Sequence, residues 1–309
     1  MGAAPVVDID PAVRDLWHPV AALEELRPGW TMRTQLLDQR IAVTLGADGD
    51  PAARLEAADR PAPGGGADVG AAAEDLPTMA AYEFAWTSLG APPAGLFAIP
   101  ECDEPDRRNL SAGTIGVRVS APRAVENFLD MGHFPYVHAG ILGQAPRTEV
   151  LEYVVEVDSA SNELFARDCE FFQPYAAAAA GGGQQSKYTY RVPHPYCVML
   201  YKSCPVDSSR LDVIALFVQS LSCDRVRAHN FMSLIDDQST DGELRRFQQH
   251  IFGQDKPILE NQTPRLLPLD PADEHSVRAD RSSVTYRRWL SRLGVTYGVI
   301  PERSHDDDF

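Results

Sequence analysis

Six strand-like segments followed by one long helical segment fill residues 149–262, and this order constrains the fold more than any other feature of the chain. The strand-like segments are rich in β-branched and aromatic residues and are separated by turn sequences, a pattern typical of an antiparallel sheet. They cover residues 149–157, 163–172, 187–192, 197–201, 212–221 and 225–234. Residues 241–262 then have apolar side chains on roughly one side, which predicts a helix with a kink at Pro257. This order predicts an α+β fold.

Two shorter helices flank this block. The spacing of apolar residues predicts a helix over 123–131, and Pro122 suits its first turn because a backbone N–H would have no partner there. Another helix is predicted over 282–293, where Gly294 ends it.

The first 112 residues have a different character. Short apolar runs broken by Pro, Gly and polar residues predict strands within 15–45, and residues 82–89 alternate like another strand. Residues 52–75 are dominated by Ala, Gly, Pro and Asp and carry too little apolar area to offset the entropy of ordering, so we predict a flexible loop. Charged residues and Pro crowd together at 102–112. We therefore predict two domains, residues 1–112 and residues 113–309.

Composition excludes several classes of partner. The formal net charge of -16 gives a surface that repels nucleic-acid phosphates, which need clustered Lys and Arg. No stretch approaches the roughly 20 apolar residues that span a bilayer, and the first residues carry no basic segment, so we expect a cytoplasmic protein without a membrane partner. The five cysteines form no Cys-x-x-Cys pair, and we expect them to be reduced and mostly buried.

Four polar residues near the end of the first predicted helix have the spacing N-x-x-D-x-x-H-x-x-x-x-H: Asn127, Asp130, His133 and His138. Isolated histidine pairs at this spacing are more often structural. Here we assign Asp255 as a third ligand, because two imidazoles and one carboxylate form the facial set that leaves open positions on Fe(II). Zinc hydrolases also use two His and one carboxylate, so the ligands alone do not name the metal.

Helical geometry places Asp130 and His133 on one face, where Asp130 can orient the imidazole through its second nitrogen. On a straight helix His138 would point about 140° away from His133. Pro135 lies between the two histidines, so we predict that the helix bends or ends there and that His138 turns back toward His133.

Together with the segment Gln-Asp-x-x-x-x-Glu-x-Gln that contains Asp255, this motif resembles the terminal oxygenase of Rieske non-heme iron oxygenases, in the vanillate O-demethylase and methylxanthine N-demethylase branch. The resemblance continues at residues 15–21, 76–86 and 278–290. It implies a helix-grip (START-like) catalytic domain, with an antiparallel sheet around a long C-terminal helix, preceded by a small β-rich remnant of a Rieske domain. It also implies that Fe(II) is held by His133, His138 and Asp255, and that Asn127 and Asp130 belong to the family's motif, with Asp130 connecting the electron donor to the iron.

The chain departs from this family where the Rieske cluster is bound. A Rieske [2Fe-2S] centre needs two Cys and two His, and residues 59–76 contain neither residue type. The cofactors implied are therefore Fe(II) without a [2Fe-2S] cluster in this chain. The two electrons that a monooxygenase needs must come from a partner, a Rieske-containing reductase or a sister oxygenase subunit.

These features support a catalytic subunit that uses O2 to demethylate or hydroxylate a small (hetero)aromatic substrate. Gln262, seven residues after Asp255, and Phe247 are candidate substrate contacts, although a solvated Gln262 and a core Phe247 are also compatible with their positions. Two alternatives stay open: a non-catalytic scaffold subunit, and a metal-dependent non-redox enzyme. We expect a trimer or a hetero-oligomer.

Overall fold

The computed structural model describes residues 9–56, 74–178 and 180–303. Within these residues the strands form a sheet of seven strands, a sheet of four, a sheet of three and a parallel pair. The N-terminal elements are, in chain order, α1 (Pro11–Arg14), β1 (His18–Ala22), β2 (Thr31–Leu36), β3 (Gln39–Leu45), β4 (Pro51–Leu55), β5 (Glu74–Leu76), β6 (Thr78–Ala81) and β7 (Phe84–Thr87), with short 3-10 helices at Leu23–Glu25 and Pro100–Asp103.

The N-terminal strands form two small antiparallel sheets, in the orders β2-β3-β4-β5 and β1-β7-β6. The loop predicted at 52–75 is shorter than expected, because β4 continues to Leu55 and β5 begins at Glu74. In β4 the small residue Ala53 is buried between exposed neighbours, an alternation that the Ala-rich composition concealed. Residues 57–73 of the predicted loop lie outside the described residues.

The remaining elements build the larger part of the fold. They are β8 (Arg108–Val117), α2 (Ala121–Leu129), α3 (Phe134–Val137), β9 (Val154–Val157), β10 (Leu164–Gln173), β11 (Gln184–His194), β12 (Cys197–Ser203), β13 (Leu211–Ser222), β14 (Arg225–Leu234), α4 (Asp241–Asn261), β15 (Leu267–Pro268), α5 (Arg281–Leu293) and β16 (Val299–Ile300), with a 3-10 helix at Arg278–Asp280. Seven strands form one antiparallel sheet in the order β8-β14-β13-β12-β11-β10-β9. The predicted antiparallel sheet and α+β class are confirmed.

Helix α4 begins at a capping box in which the Thr240 side chain and the Glu243 side chain each bond the other's backbone amide. It continues without interruption through Pro257 to Asn261. No helix in the described ranges is both long and apolar enough to cross a bilayer.

Side chains of α4 cover the free edge of the seven-stranded sheet. Gln249 Nε2 donates to the carbonyl of Ala112 at 2.8 Å and Lys256 Nζ to that of Gly116 at 2.7 Å, so carbonyl groups of edge strand β8 find partners. Gly113 lies at a bulge in β8 with a φ of 98°, and a Cβ there would meet Gln249 Nε2 at 2.7 Å. These contacts fix the helix that carries Asp255 against the sheet.

The predicted domain boundary is misplaced. Strand β8 spans Arg108–Val117 and pairs with β14, so a division after residue 112 would cut a strand of the seven-stranded sheet. The chain enters this sheet at Arg108, since the charged residues just before it form the loop and Leu110, Ala112 and Val117 are buried.

The N-terminal sheets and the seven-stranded sheet share a hydrophobic core. Buried residues of β3 and β13 belong to one apolar cluster, for example Ile41 and Val218. The two-residue turn between β2 and β3 adopts left-handed backbone angles at Leu37 and Asp38. Its amides donate to the carbonyls of Ser220 and Leu221, at 2.8 and 3.0 Å. The first region is therefore packed and hydrogen-bonded to the sheet that carries the site.

Candidate metal centre

The two histidines of the motif lie at the two ends of the one-turn helix α3. Helix α2 ends at Leu129, and Asp130 then turns the chain by accepting a hydrogen bond at Oδ1 from the amide of Gly132, at 2.7 Å. His133 is the N-cap of α3 and His138 is its C-cap. A short turn followed by a new helix thus presents both imidazoles on one side.

The role predicted for Pro135 is therefore wrong in its detail. The preceding helix ends at Leu129 because of the turn that Asp130 forms, and Pro135 lies in the first turn of α3, where its missing N–H has no partner to lose. Pro135 favours the start of the second helix rather than breaking the first.

Three ligand atoms from these two segments and from α4 converge. His133 Nε2 lies 3.1 Å from His138 Nε2. Asp255 Oδ1 lies 3.3 Å from the first of these nitrogens and 3.1 Å from the second. In the part of the chain that the structure describes, this is the one group of three or more His, Cys, Asp or Glu side chains arranged to hold a metal ion.

Hydrogen bonds on the far sides of the imidazoles fix their tautomers. Asp130 Oδ2 lies 2.9 Å from His133 Nδ1, and Gln254 Oε1 lies 2.9 Å from His138 Nδ1. Both oxygens accept, so each Nδ1 carries a hydrogen and each Nε2 keeps a lone pair for a metal. Asp255 Oδ1 is buried and lies 3.1 to 3.3 Å from both Nε2 atoms. Three electron-rich atoms facing one another fit a divalent cation.

In the metal-free protein a proton occupies part of this space. Burial would lower the pKa of His133, but the carboxylates of Asp130 and Asp255 outweigh burial and raise the pKa to about 9. Burial would raise the pKa of Asp255, but its contacts with His133 and His138 lower it to about 2. At neutral pH His133 is therefore protonated and Asp255 ionised, and a metal must displace the proton.

This competition predicts a pH-dependent metal affinity. We expect the dissociation constant for Co(II) to rise about tenfold for each pH unit below about 9, because one proton leaves His133 on binding, and to level off above that pH. Titration of the metal-free protein with Co(II) between pH 6.5 and 9.5, followed by visible absorbance, measures this slope. Replacing His250, an exposed histidine of α4, by alanine should leave the slope unchanged. A flat profile between pH 7 and 9 would contradict the prediction.

A largely apolar cavity opens onto the three ligands. His133, His138 and Asp255 line one end of it, and aromatic and aliphatic side chains form much of its wall. Aromatic walls beside a metal position suit a flat apolar ring with one reactive substituent at the metal end.

Comparison with known proteins identifies the family. Residues 117–296, more than half of the chain, match the family described as "Vanillate O-demethylase oxygenase C-terminal domain". The chain is also 46% identical over 287 residues to the probable methylxanthine N7-demethylase NdmC of Pseudomonas sp. (strain TJI-51), which covers 93% of this chain and 96% of that protein. The chain belongs to the Rieske non-heme iron oxygenase family. This confirms the resemblance inferred from the motifs, and with it an oxygenase of the demethylating type.

Two solved structures show the same fold as this oxygenase. NdmA of Pseudomonas putida CBB5 with caffeine superimposes with a TM-score of 0.68 at 20% identity, covering 96% of this chain and 98% of that one. Dicamba monooxygenase bound to dicamba gives a TM-score of 0.70 at 19% identity, covering 91% and 97%. The architecture predicted for the catalytic part is thus found in solved oxygenases.

The two motif residues outside the predicted ligand set occupy different positions in this oxygenase. Asn127 lies on α2 and lines both the cavity and a second, charged cleft, which is lined by Arg123, Asp130, Glu274 and Asp280 among others. Asp130 lines only this charged cleft. His133 lines both spaces, so it separates the cavity from the charged cleft, and Asp130 contacts it from the cleft side.

Of the two candidate substrate contacts, the structure brings only Phe247 to the cavity. Gln262 is the C-cap of α4 with extended backbone angles, and it lines the charged cleft instead. It follows Asp255 by two helical turns and so lies beyond the metal end of the cavity. Gln248, two turns before Asp255, is the glutamine that lines the cavity.

Sequence reasoning missed two functional candidates. Gln254, which orients His138, is separated from it by 116 residues, and its only signal was its place beside Asp255. Lys202, which lines the cavity, was the one cation in the apolar strand β12. It shares its strand face with Val198 and Leu200, and this alternation could have indicated an inward-facing ammonium group.

Proposed function

We propose that this chain is the catalytic subunit of a multicomponent non-heme iron monooxygenase that removes the N7 methyl group of a methylxanthine. The observation that carries the proposal is the buried carboxylate oxygen Oδ1 of Asp255, which faces two imidazole nitrogens at 3.1 and 3.3 Å at the end of an apolar cavity. The near full-length similarity to a probable methylxanthine N7-demethylase supports the choice of substrate.

The residues of the chain prepare this site in three ways. His133, His138 and Asp255 would hold Fe(II), which would supply the activation of dioxygen when bound. Asp130 and Gln254 keep the hydrogens of the two imidazoles on Nδ1 and so keep the ligand nitrogens free. The aromatic walls exclude water and align a flat ring with its methyl group at the metal end.

The reaction requires electrons from outside the chain. N-demethylation consumes one O2, two electrons and two protons, and converts the N–CH3 group into N–H, formaldehyde and water. Two Cys and two His are needed for a Rieske cluster, but only His18 and Cys102 precede His133 in the sequence. We infer that a Rieske-containing reductase or sister subunit supplies the electrons and docks at the charged cleft, where Asp130 contacts the ligand His133.

The test is reconstitution. Iron-loaded protein, 7-methylxanthine, O2 and a Rieske-bearing reductase should give formaldehyde and demethylated product in equal amounts, and omission of the reductase should stop turnover. Peroxide supplied without the reductase should support some product, because it provides both oxygen and electrons. If the protein binds iron but gives no product with the reductase or with peroxide, the proposal is wrong. An iron content near zero would favour a scaffold subunit. Activity in the absence of O2 would favour a non-redox enzyme.

A further inference from the structure

The cavity is elongated along helix α4. It is lined by α4 residues from Asp255 at the metal end to Gln248 and Phe247, a distance of two helical turns or about 10 Å. At the Phe247 end it meets a second cavity, and Lys202 lines both. Lys202 therefore lies at the end of the cavity remote from the metal ligands.

The ammonium group of Lys202 is a buried cation with spare hydrogen-bonding capacity. The residue is 4% exposed, and Nζ donates to the carbonyl oxygen of Ala176. An ammonium group has three N–H donors, so one acceptor does not satisfy it. Among the residues that the structure describes, no carboxylate oxygen lies within 4.0 Å of Lys202 Nζ, the distance limit for an ion pair.

The neighbouring carboxylate does not neutralise Lys202 by direct contact. Asp212 is its cross-strand neighbour on β13, and Asp212 Oδ1 instead accepts a hydrogen bond from the amide of Ile235 at 3.0 Å. Burial lowers the pKa of Lys202 to about 8, and the Asp212 charge opposes this only in part. A buried cation with unfilled donors is costly unless a ligand completes its shell.

A second group with unused hydrogen-bonding capacity lies on the same wall. Tyr190 of β11 lines the cavity, is 1% exposed, and its hydroxyl has no hydrogen-bond partner among the described residues. Lys202 pairs across β11 and β12 with Tyr188, two residues from Tyr190 on the same strand face. The sheet side of the cavity thus offers polar hydrogens, while Ile251 and Phe252 of α4 present an apolar surface.

We propose that Lys202 determines substrate specificity by donating a hydrogen bond to the C2 carbonyl oxygen of the methylxanthine, on the part of the ring system remote from the N7 methyl group. This inference rests on the proposed function and adds the contact that selects among methylated purines. The methyl group lies at the metal ligands, and the carbonyl lies at the opposite end of the cavity, where the donor is. A site built to bond a carbonyl rejects an analogue that lacks it, because the donor is then left buried without a partner.

The experiment compares two ligands on matched variants. Binding of 7-methylxanthine and of 7-methylhypoxanthine, which lacks the C2 oxygen, is measured by calorimetry on anaerobic, iron-loaded protein without an electron donor. We expect the wild-type protein to bind 7-methylxanthine roughly 10- to 100-fold more tightly, the usual effect of one charge-assisted hydrogen bond. Lys202→Met should remove this preference, and Lys187→Met, an exposed lysine on neighbouring strand β11, should keep it.

The possible outcomes separate this inference from the proposed function. No preference in the wild-type protein, or a preference that survives in Lys202→Met, overturns the role of Lys202 while demethylation of 7-methylxanthine by the wild-type protein stands. Absence of both binding and turnover of 7-methylxanthine in the wild-type protein overturns both. If circular dichroism shows that Lys202→Met does not fold, Lys202→Gln replaces it in the test. This variant keeps a neutral hydrogen-bond donor. If it prefers 7-methylxanthine as strongly as the wild-type protein does, the charged contact is excluded.

Discussion

Replacing Asp255 by alanine should abolish turnover and weaken the binding of Fe(II) by more than about 100-fold. Losses of up to about 100-fold are typical when a residue that only orients a metal ligand is replaced, and the loss of a ligand should exceed them. Asp255 is the one proposed ligand that carries a full negative charge, and its Oδ1 lies within 3.3 Å of both imidazole nitrogens. Without it two neutral nitrogens face the cavity, too few to hold iron against water. Iron content after gel filtration and formaldehyde release with the reductase present measure the two effects.

A control variant at another carboxylate separates the loss of a metal ligand from the loss of one negative charge. Asp237 is exposed in the segment before α4, and Asp237→Ala should retain iron and full turnover. Circular dichroism of the Asp255→Ala protein should match that of the wild-type protein, since α4 is held by its contacts with β8. Wild-type iron content in Asp255→Ala would place the metal elsewhere.

Replacing Asp130 by asparagine should lower reductase-driven turnover by about 100-fold, at the upper end of the effect of groups that contact a metal ligand. The asparagine oxygen can still accept from His133 Nδ1, so we expect iron binding to fall by no more than about tenfold. The variant loses the charge that Asp130 places between the charged cleft and His133. Peroxide-driven turnover, which bypasses the partner, should change by only a few-fold; the ratio of the two rates is the diagnostic measurement.

Asp280 provides the control for this experiment. It lines the same charged cleft, and its Oδ2 accepts from the amide of Val277 rather than from a ligand histidine. Asp280→Asn removes the same charge from the cleft, so it should alter the reductase concentration for half-maximal rate without a loss of the maximal rate. Equal losses of maximal rate in both variants would mean that Asp130 acts only through the charge of the docking surface.

Local sequence signals predicted the regular elements well. Strand 225–234 has the predicted bounds, α4 ends one residue earlier than predicted, and Gly294 ends α5 with a left-handed φ of 74°. In each case the deciding information is contained within a few neighbouring residues: alternation, a cap or a terminal glycine. The cluster of His133 and His138 was also found locally, because both lie within six residues.

What the sequence did not reveal depends on distant contacts. The end of α2 depends on the turn that Asp130 makes, which competes with helix continuation in a way that periodicity does not show. The partner of His138 is Gln254, and the sheet edge that α4 covers is strand β8, which the predicted domain boundary divides. Such pairings are decided by which surfaces meet after the chain has collapsed.

The strained turn at Leu37 and Asp38 bears on how such an enzyme can be shortened. Left-handed angles in two consecutive residues other than glycine cost on the order of 1 to 3 kcal/mol each, and the amides of both residues are held by strand β13. The hairpin thus holds the N-terminal strands against β13 of the catalytic sheet. The N-terminal strands therefore support the catalytic sheet directly, through a shared apolar core and these hydrogen bonds. A minimal engineered demethylase would have to retain these strands as a structural wall.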